Sequence, residues 1–317
     1  YKPRKSPSKG ASMTTLVLGH KSPDTDSTGS PIIWAWYLSE TGTPAKPVLL
    51  GEPNTEAAFV LKHWGLDKPA IIADVTADDK VVIVDTNNPA ELPPSINDAK
   101  IQAIIDHHLL VGGIKTKTPI DITIRPLACT ATIMHDLMGD HVAKAPKHIK
   151  GAMLSCILSD TLEFRSPTTT PHDRAVAEKL AADLGVNLGD LATKMFEAKS
   201  DVSAFSDAEL LRMDSKEYNV AGKELRVSVL ETTAPKIVLD RKASLMASMV
   251  DVAREDGADQ VLLFVVDILK EEATLLVPND LVKQMAEASF GCTVTGDTVV
   301  LPGIMSRKKQ IIPALKL

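Results

Sequence analysis

Gly19-His20-Lys21-Ser22-Pro23-Asp24-Thr25-Asp26-Ser27 follows directly on an apolar run, Leu16-Val17-Leu18. Together these residues describe a strand that ends in His-x-x-x-Asp-x-Asp and turns into a helix. One imidazole and two carboxylates are thereby delivered to the carboxyl edge of a sheet, where open α/β folds place their ligands. Working outward, the same kind of group recurs after three later apolar segments. Asp85 follows Val81-Val82-Ile83-Val84, Asp106-His107-His108 follows Ile104-Ile105, and Asp160 sits in Ser159-Asp160-Thr161. A lone aspartate at a strand end is usually a turn or cap residue. Capping does not account for His20, Asp24, Asp26, Asp85, His107 and Asp160 all following apolar runs, and the joint pattern reads as a two-metal site.

The spacing around these residues predicts a mainly parallel sheet. Strands are expected at Thr15–Gly19, Lys46–Leu50, Ala70–Ala73, Val81–Asp85, Ile101–Asp106 and Ile120–Ile124, with helical patterns at Thr28–Glu40 and Thr55–Trp64. Alternation of this kind argues for an α/β fold with helices on both faces, and continuous Val/Ile runs suit strands covered on both sides. Beyond Ile124 the pattern is helical at Ala131–Met138, Lys147–Leu158, His172–Leu184 and Leu188–Ala198. Lys199-Ser200-Asp201-Val202-Ser203 lacks periodicity and is read as the boundary. After it, Ser206-Asp207-Ala208-Glu209 forms a capping box that opens a helix toward Lys216. Strands at Leu225–Glu231, Val261–Ile268, Ala273–Val277 and Thr298–Leu301, with helices near Leu245–Glu255 and Leu281–Ala288, then define a smaller α+β domain.

The expected organisation is an N-terminal domain over residues 13–199, a hinge at 200–204 and a C-terminal domain over 205–317. Residues 1–12 read as an expression leader, basic and poor in apolar side chains. Omitting its Lys2, Arg4, Lys5 and Lys9 takes the net charge from −6 to −10. So acidic a chain is ill suited to tracking a nucleic-acid backbone, and an aromatic content of 4% offers little for base stacking. No apolar run approaches the roughly 20 residues of a membrane span. Cys129, Cys156 and Cys292 form no CxxC pair and read as free core thiols in a reducing cytoplasm. A mixed His/Asp set without cysteine favours Mn2+ or Co2+ over structural zinc. Walker, dinucleotide-glycine and Gly-x-Ser-x-Gly signatures are absent from the sequence.

The order of these motifs resembles the family II inorganic pyrophosphatases of the DHH phosphoesterase superfamily, named for the triplet seen at Asp106-His107-His108. His20…Asp24-x-Asp26, Asp85, the triplet and Asp160 fall in the family's order, and Ser306-Arg307-Lys308-Lys309-Gln310 supplies a fifth motif that separates these pyrophosphatases from their relatives. The resemblance implies a DHH domain and a smaller C-terminal domain with the active site between them. It implies one metal site from His20, Asp24 and Asp85 and a second from Asp26, Asp85, His107 and Asp160, bridged by Asp85. Asp106 would orient the triplet rather than bind metal, and His108 would face the substrate. Two divalent cations against four aspartates sum to about zero, so Lys216, Arg307 and Lys308 are needed to neutralise pyrophosphate.

The reaction expected is in-line attack on phosphorus by a hydroxide bridging Mn2+ or Co2+ ions. Further Mg2+ or Mn2+ would arrive with the substrate, and domain closure would bring Arg307 and Lys308 onto it. The resemblance also implies a cytoplasmic homodimer. Thr86 stands where the family often has His, and Leu109 where many members have Arg or Lys. Neither position matches an expected metal ligand. The alternatives are an exopolyphosphatase or phosphodiesterase of the same superfamily, and a regulator that binds metal or phosphate without turnover.

Overall fold

Alternating Val/Ile strands and helices assemble a six-stranded sheet in the order β3-β2-β1-β4-β5-β6, with every neighbouring pair parallel. The strands are β1 (Thr15–Leu18), β2 (Ala45–Leu49), β3 (Ala70–Ile71), β4 (Lys80–Val84), β5 (Lys100–Asp106) and β6 (Asp121–Ile124). They belong to a computed structural model that describes residues 14–317, apart from the side chain of Lys308. The expected leader, residues 1–12, lies outside the described residues. Among the described residues, this part of the chain holds α1 (Thr25–Glu40), α2 (Thr55–Trp64), α3 (Thr130–Met138), α4 (His141–Lys144), α5 (Lys147–Asp160), α6 (Pro171–Leu184) and α7 (Leu188–Lys199), the last running across the division between the two units.

Side chains alternate across each strand. Leu16, Leu18, Val81 and Ile83 pack on one face with Val75, from the β3–β4 connection, and with Leu92 and Ile96, from an irregular stretch after β4 that carries 3-10 turns at Pro89–Glu91 and Ile96–Asp98. The opposite face is covered by α1 against β1, β2 and β4 and by α3 against β5. Helix α1 also packs along α5, and Gly29 makes that approach possible. A Cβ there would lie 2.4 Å from the Cys156 sulfur. The sheet order reverses between β1 and β4, since β2 and β3 lie on one side of β1 and β4 to β6 on the other. A crevice opens at such a switch point, at the carboxyl ends of the strands.

The chain divides into two compact units, one running to Met195 and the other from Phe196 to Leu317. The second holds β7 (Ser215–Val220), β8 (Lys223–Thr232), β9 (Gln260–Asp267), β10 (Glu272–Leu276) and β11 (Thr298–Pro302), in the order β11-β10-β9-β8-β7. Only β8 and β9 pair in parallel among these neighbours. Its helices are α8 (Asp207–Met213), α9 (Pro235–Leu239), α10 (Lys242–Asp256), α11 (Asp280–Phe290) and α12 (Ile312–Ala314), with a π-helical turn at Arg307–Ile311. One face of the sheet packs Phe264 and Leu275 against Val282 and Met285 of α11, the other packs Leu263 and Val265 against Leu245 and Met249 of α10. Strand β9 is buried along its whole length, as its unbroken apolar run requires. Ser200 is buried and accepts hydrogen bonds from Thr232 Oγ1 and Thr233 N.

Two expectations fail here: helices are expected on both faces of the parallel sheet, but connections and 3-10 turns cover the face of Leu16 and Val81, and one helix of the second unit is shorter than expected. The helix opened by the Ser206–Glu209 capping box ends at Met213, and Lys216 lies on β7. The sequence Ser-Lys-Glu-Tyr-Asn-Val is polar at alternate positions and reads weakly as a strand, but it is an edge strand paired only with β8. Half its side chains face solvent there, so polarity is tolerated.

Candidate metal centre

The switch-point crevice gathers the side chains singled out from the sequence. His20 follows β1, Asp85 follows β4, and Asp106 ends β5 with His107 and His108 directly after it. Asp24 is the N-cap of α1, its Oδ1 accepting from Ser27 N at 2.9 Å, and Asp26 lies in the same first turn. Asp160 is the last residue of α5. Gly19 admits the sharp turn into α1, because a Cβ would collide with Ser27 Oγ at 2.0 Å. That hydroxyl accepts instead from His20 N at 2.7 Å. Among the described residues, ligand atoms of His20, Asp24 and Asp85 come together within 4.8 Å, as do those of Asp26, His107 and Asp160, and those of Asp85, His107 and His108.

Asp85 sits between the first two groups. Its Oδ2 lies 3.6 Å from His20 Nε2, while its Oδ1 lies 3.4 Å from His107 Nε2. Each carboxylate oxygen therefore faces a different imidazole. The residue is held at φ +60°, a left-handed backbone state rare for a side chain with a Cβ. Strain of this kind persists where surrounding structure over-determines it, and here Asp85 N bonds Ile105 O at 2.9 Å. His107 Nδ1 is 3.1 Å from Leu127 O, which turns Nε2 toward Asp85 and Asp160. His20 Nε2 also lies 3.6 Å from Asp24 Oδ2.

Four aspartates at one point create a charge problem. Burial, and then the neighbouring Asp26, Asp160 and Asp24 carboxylates, hold Asp85 well above its ordinary range. Burial and the Asp26 and Asp24 charges push Asp160 up in the same sense. Asp160 Oδ2 is buried with no hydrogen-bond partner among the described residues. Burial pulls His107 down and so favours its neutral form. At His20 burial also acts downward, but the hydrogen bond and charge of Asp24 outweigh it and raise the group. Imidazole nitrogens and crowded carboxylate oxygens are the donor set that first-row divalent cations take, and a buried carboxylate oxygen lacking a donor fits a cation ligand.

Around this set the structure supplies supports. Asp106 is fully buried, and its Oδ1 accepts from His107 N, His108 N and His108 Nδ1 at 2.8, 3.1 and 2.8 Å. Its Oδ2 accepts from Asn87 Nδ2 at 2.6 Å. Burial alone would raise Asp106, but the His108 and Asn87 hydrogen bonds carry it below its usual range. The same Asp106 bond raises His108, whose side chain is 52% exposed and thus open to a ligand. Thr130, at the start of α3, donates from N to Asp26 Oδ2 at 2.8 Å and from Oγ1 to Asp85 Oδ1 at 3.1 Å. Sequence reasoning passed over Thr130 and Asn87. The onset of a helix at Cys129-Thr130 was the available signal for the first.

Thr86 is buried, with Oγ1 donating to Glu91 Oε2 at 2.6 Å. Leu109 is 88% exposed. The basic residues are separate from the acidic cluster in the chain and belong to the second unit. There a cavity of about 640 Å³ is lined by Asp214, Lys216, Tyr218, Glu231, Ser306 and Arg307. Arg307 is engaged within it, donating to Asp214 O at 2.8 Å and to Asp214 Oδ1 at 2.7 Å. The side chain of Lys308 lies outside the described residues.

The fold and site define a two-unit DHH protein. Residues 14–160 match the DHH family N-terminal domain and residues 193–317 the DHHA2 domain. A Deinococcus radiodurans protein described as "Probable manganese-dependent inorganic pyrophosphatase" is 38% identical over 305 residues, covering 95% of this chain and 97% of its own. One from Shouchella clausii with the same description is 35% identical over 302 residues, covering 95% and 96%. The crystal structure of a Methanococcus jannaschii protein assigned to family II inorganic pyrophosphatases superposes with a TM-score of 0.59 at 33% identity, covering 94% and 97%. An exopolyphosphatase-related protein from Bacteroides fragilis shares the fold at 13% identity and a TM-score of 0.50, covering 94% and 89%. The chain belongs to the family II inorganic pyrophosphatases.

Proposed function

We propose that this chain is an inorganic diphosphatase that hydrolyses pyrophosphate to two orthophosphates at a centre holding two divalent cations. His20, Asp24 and Asp85 would hold one ion, and Asp26, Asp85, His107 and Asp160 the other. The observation that carries this reading is Asp85, whose two oxygens turn to different imidazoles at 3.6 and 3.4 Å. A cation pair in such a site lowers the pKa of water toward neutrality and stabilises charge on a phosphoryl group.

The chain's own residues do the rest. Asp106 accepts a hydrogen bond from His108 Nδ1–H, leaving Nε2 to meet a phosphoryl oxygen. Lys216, Arg307 and Lys308 neutralise a polyanion that an electrically balanced metal centre would not capture unaided, and the guanidinium can grip two oxygens at once. In this reading residues 13–199 bind metal, 205–317 bind substrate, and 200–204 act as the hinge for closure.

Manganese is favoured by the descriptions of the relatives and by the mixed imidazole–carboxylate donor set. Co2+ as a substitute, Mg2+ or Mn2+ carried with the substrate, homodimerisation and a cytoplasmic location complete the proposal. Among the described residues no helix is long and apolar enough to cross a membrane. The test is phosphate release after chelation and stepwise return of Mn2+, Co2+ or Mg2+, with pyrophosphate, long-chain polyphosphate and a short oligonucleotide as parallel substrates. Pyrophosphate turnover that depends on Mn2+ is expected. Preference for either polymer would transfer the assignment to the alternative phosphohydrolase.

A further inference from the structure

Glu56 is a fully buried carboxylate that the reaction described above does not use. It occupies the first turn of α2, where an acid is ordinarily a solvated partner of the helix dipole. Here it is 0% exposed. Its Oε1 accepts from Thr25 Oγ1 at 2.5 Å and also from Ser159 Oγ, while Oε2 has no hydrogen-bond partner among the described residues. Burying a carboxylate is costly unless it is hydrogen-bonded, so its position calls for a reason.

The two donors supply one. Thr25 lies between Asp24 and Asp26 at the start of α1, and Ser159 directly precedes Asp160 at the end of α5. Thr25 and Ser159 stand 31 and 103 residues from Glu56 in the chain. One carboxylate oxygen therefore ties together the two helix ends that present three of the six proposed metal ligands. We propose that Glu56 is a positioning residue for the metal centre, fixing the separation of Asp24 and Asp26 from Asp160. The inference rests on the two-cation reading of the site. What the position requires is an oxygen that accepts two hydroxyls at once, which an amide oxygen also offers. Glu56→Gln is therefore expected to preserve the arrangement, and Glu56→Ala to release it.

The experiment titrates metal-free protein with Mn2+ and follows the electron paramagnetic resonance signal of the unbound ion. Glu56→Ala is expected to weaken Mn2+ affinity by about 10- to 100-fold, the usual cost of losing a group that orients metal ligands. Glu56→Gln is expected to stay within about threefold of wild type. A general loss of stability would not be rescued in this selective way. Wild-type affinity in Glu56→Ala, or an equal loss in Glu56→Gln, overturns the proposal. If Glu56→Ala does not fold, Thr25→Val and Ser159→Ala remove the two donors one at a time. Each is then expected to weaken Mn2+ binding, and wild-type affinity in both overturns the proposal. Failure of the wild-type protein itself to bind Mn2+ would overturn the metal-centre reading and this inference with it.

Discussion

The two units treat charge in opposite ways. In the first, Asp24, Asp26, Asp85 and Asp160 crowd a crevice in which imidazoles, backbone amides and hydroxyls are neighbours, and the described ion pairs of Asp85 and Asp160 are with histidines. In the second, the cation of Arg307 is already bonded twice to Asp214. In the proposed reading the acidic centre stays destabilised until a cation binds, and the Arg307–Asp214 pair holds until an anion competes for the guanidinium. Crowded carboxylates mark the first unit, and an ion pair that can exchange marks the second.

The sharpest way to break this contrast is Asp85→Asn. It removes a carboxylate shared by two of the clusters, and turnover is expected to fall by about 100- to 1000-fold, with Mn2+ uptake weakened in the same titration. Arg307→Ala should act differently. Charge-assisted hydrogen bonds contribute about 1.5–3 kcal/mol, so KM for pyrophosphate should rise about 10- to 100-fold while Mn2+ binding stays unchanged. Steady-state kinetics beside metal titration separates the two, and equal metal loss in both variants would erase the distinction. Asp214→Asn gives a smaller effect. It frees Arg307 from an ion pair whose acid is 59% exposed, and partly exposed pairs contribute about 1 kcal/mol at most. Pyrophosphate should then bind no more than about fivefold more tightly, and weaker binding would make Asp214 an orienting group instead.

The last prediction concerns pH and requires the metal-free protein. Asp85 and Asp160 bind protons more tightly folded than unfolded. Their penalty is absent below the ordinary carboxylate value of 3.8 and grows as pH rises toward their raised folded values. Metal-free Asp85→Asn should therefore melt a few degrees above metal-free wild type at neutral pH. The gap should close as the medium is acidified, and Mn2+ should reverse it. Melting curves across pH, with and without Mn2+, decide this; a gap that widens on acidification would contradict the charge repulsion described here.

Much of this was readable from the chain. The run Val81–Val84 ending in Asp85, and Leu16–Leu18 ending in His20, place both residues correctly because strand period and strand end are local properties. The helix expected at Thr55–Trp64 occupies those residues, since an Asn54 cap and Gly65 stop are also local signals. Ser215–Val220 escaped notice because an edge strand half in solvent has no apolar stripe to announce it. Glu56 escaped for a related reason. Its position in a first turn gives an acid an ordinary explanation, and nothing nearby in the chain reveals that it is buried.

Residue type and short-range spacing were therefore enough to name the candidate ligands and the parallel sheet that carries them, whereas the basic motif at Ser306–Gln310 was singled out by the family resemblance. Folding in three dimensions decided which groups those ligands meet. Thr130 reaches Asp26 across 104 residues, Glu56 reaches Ser159 across 103, and Asp214 reaches Arg307 across 93. Hydrogen bonds and ion pairs act over a few ångströms, and which distant segments approach so closely follows from packing of the whole chain, which no local pattern encodes.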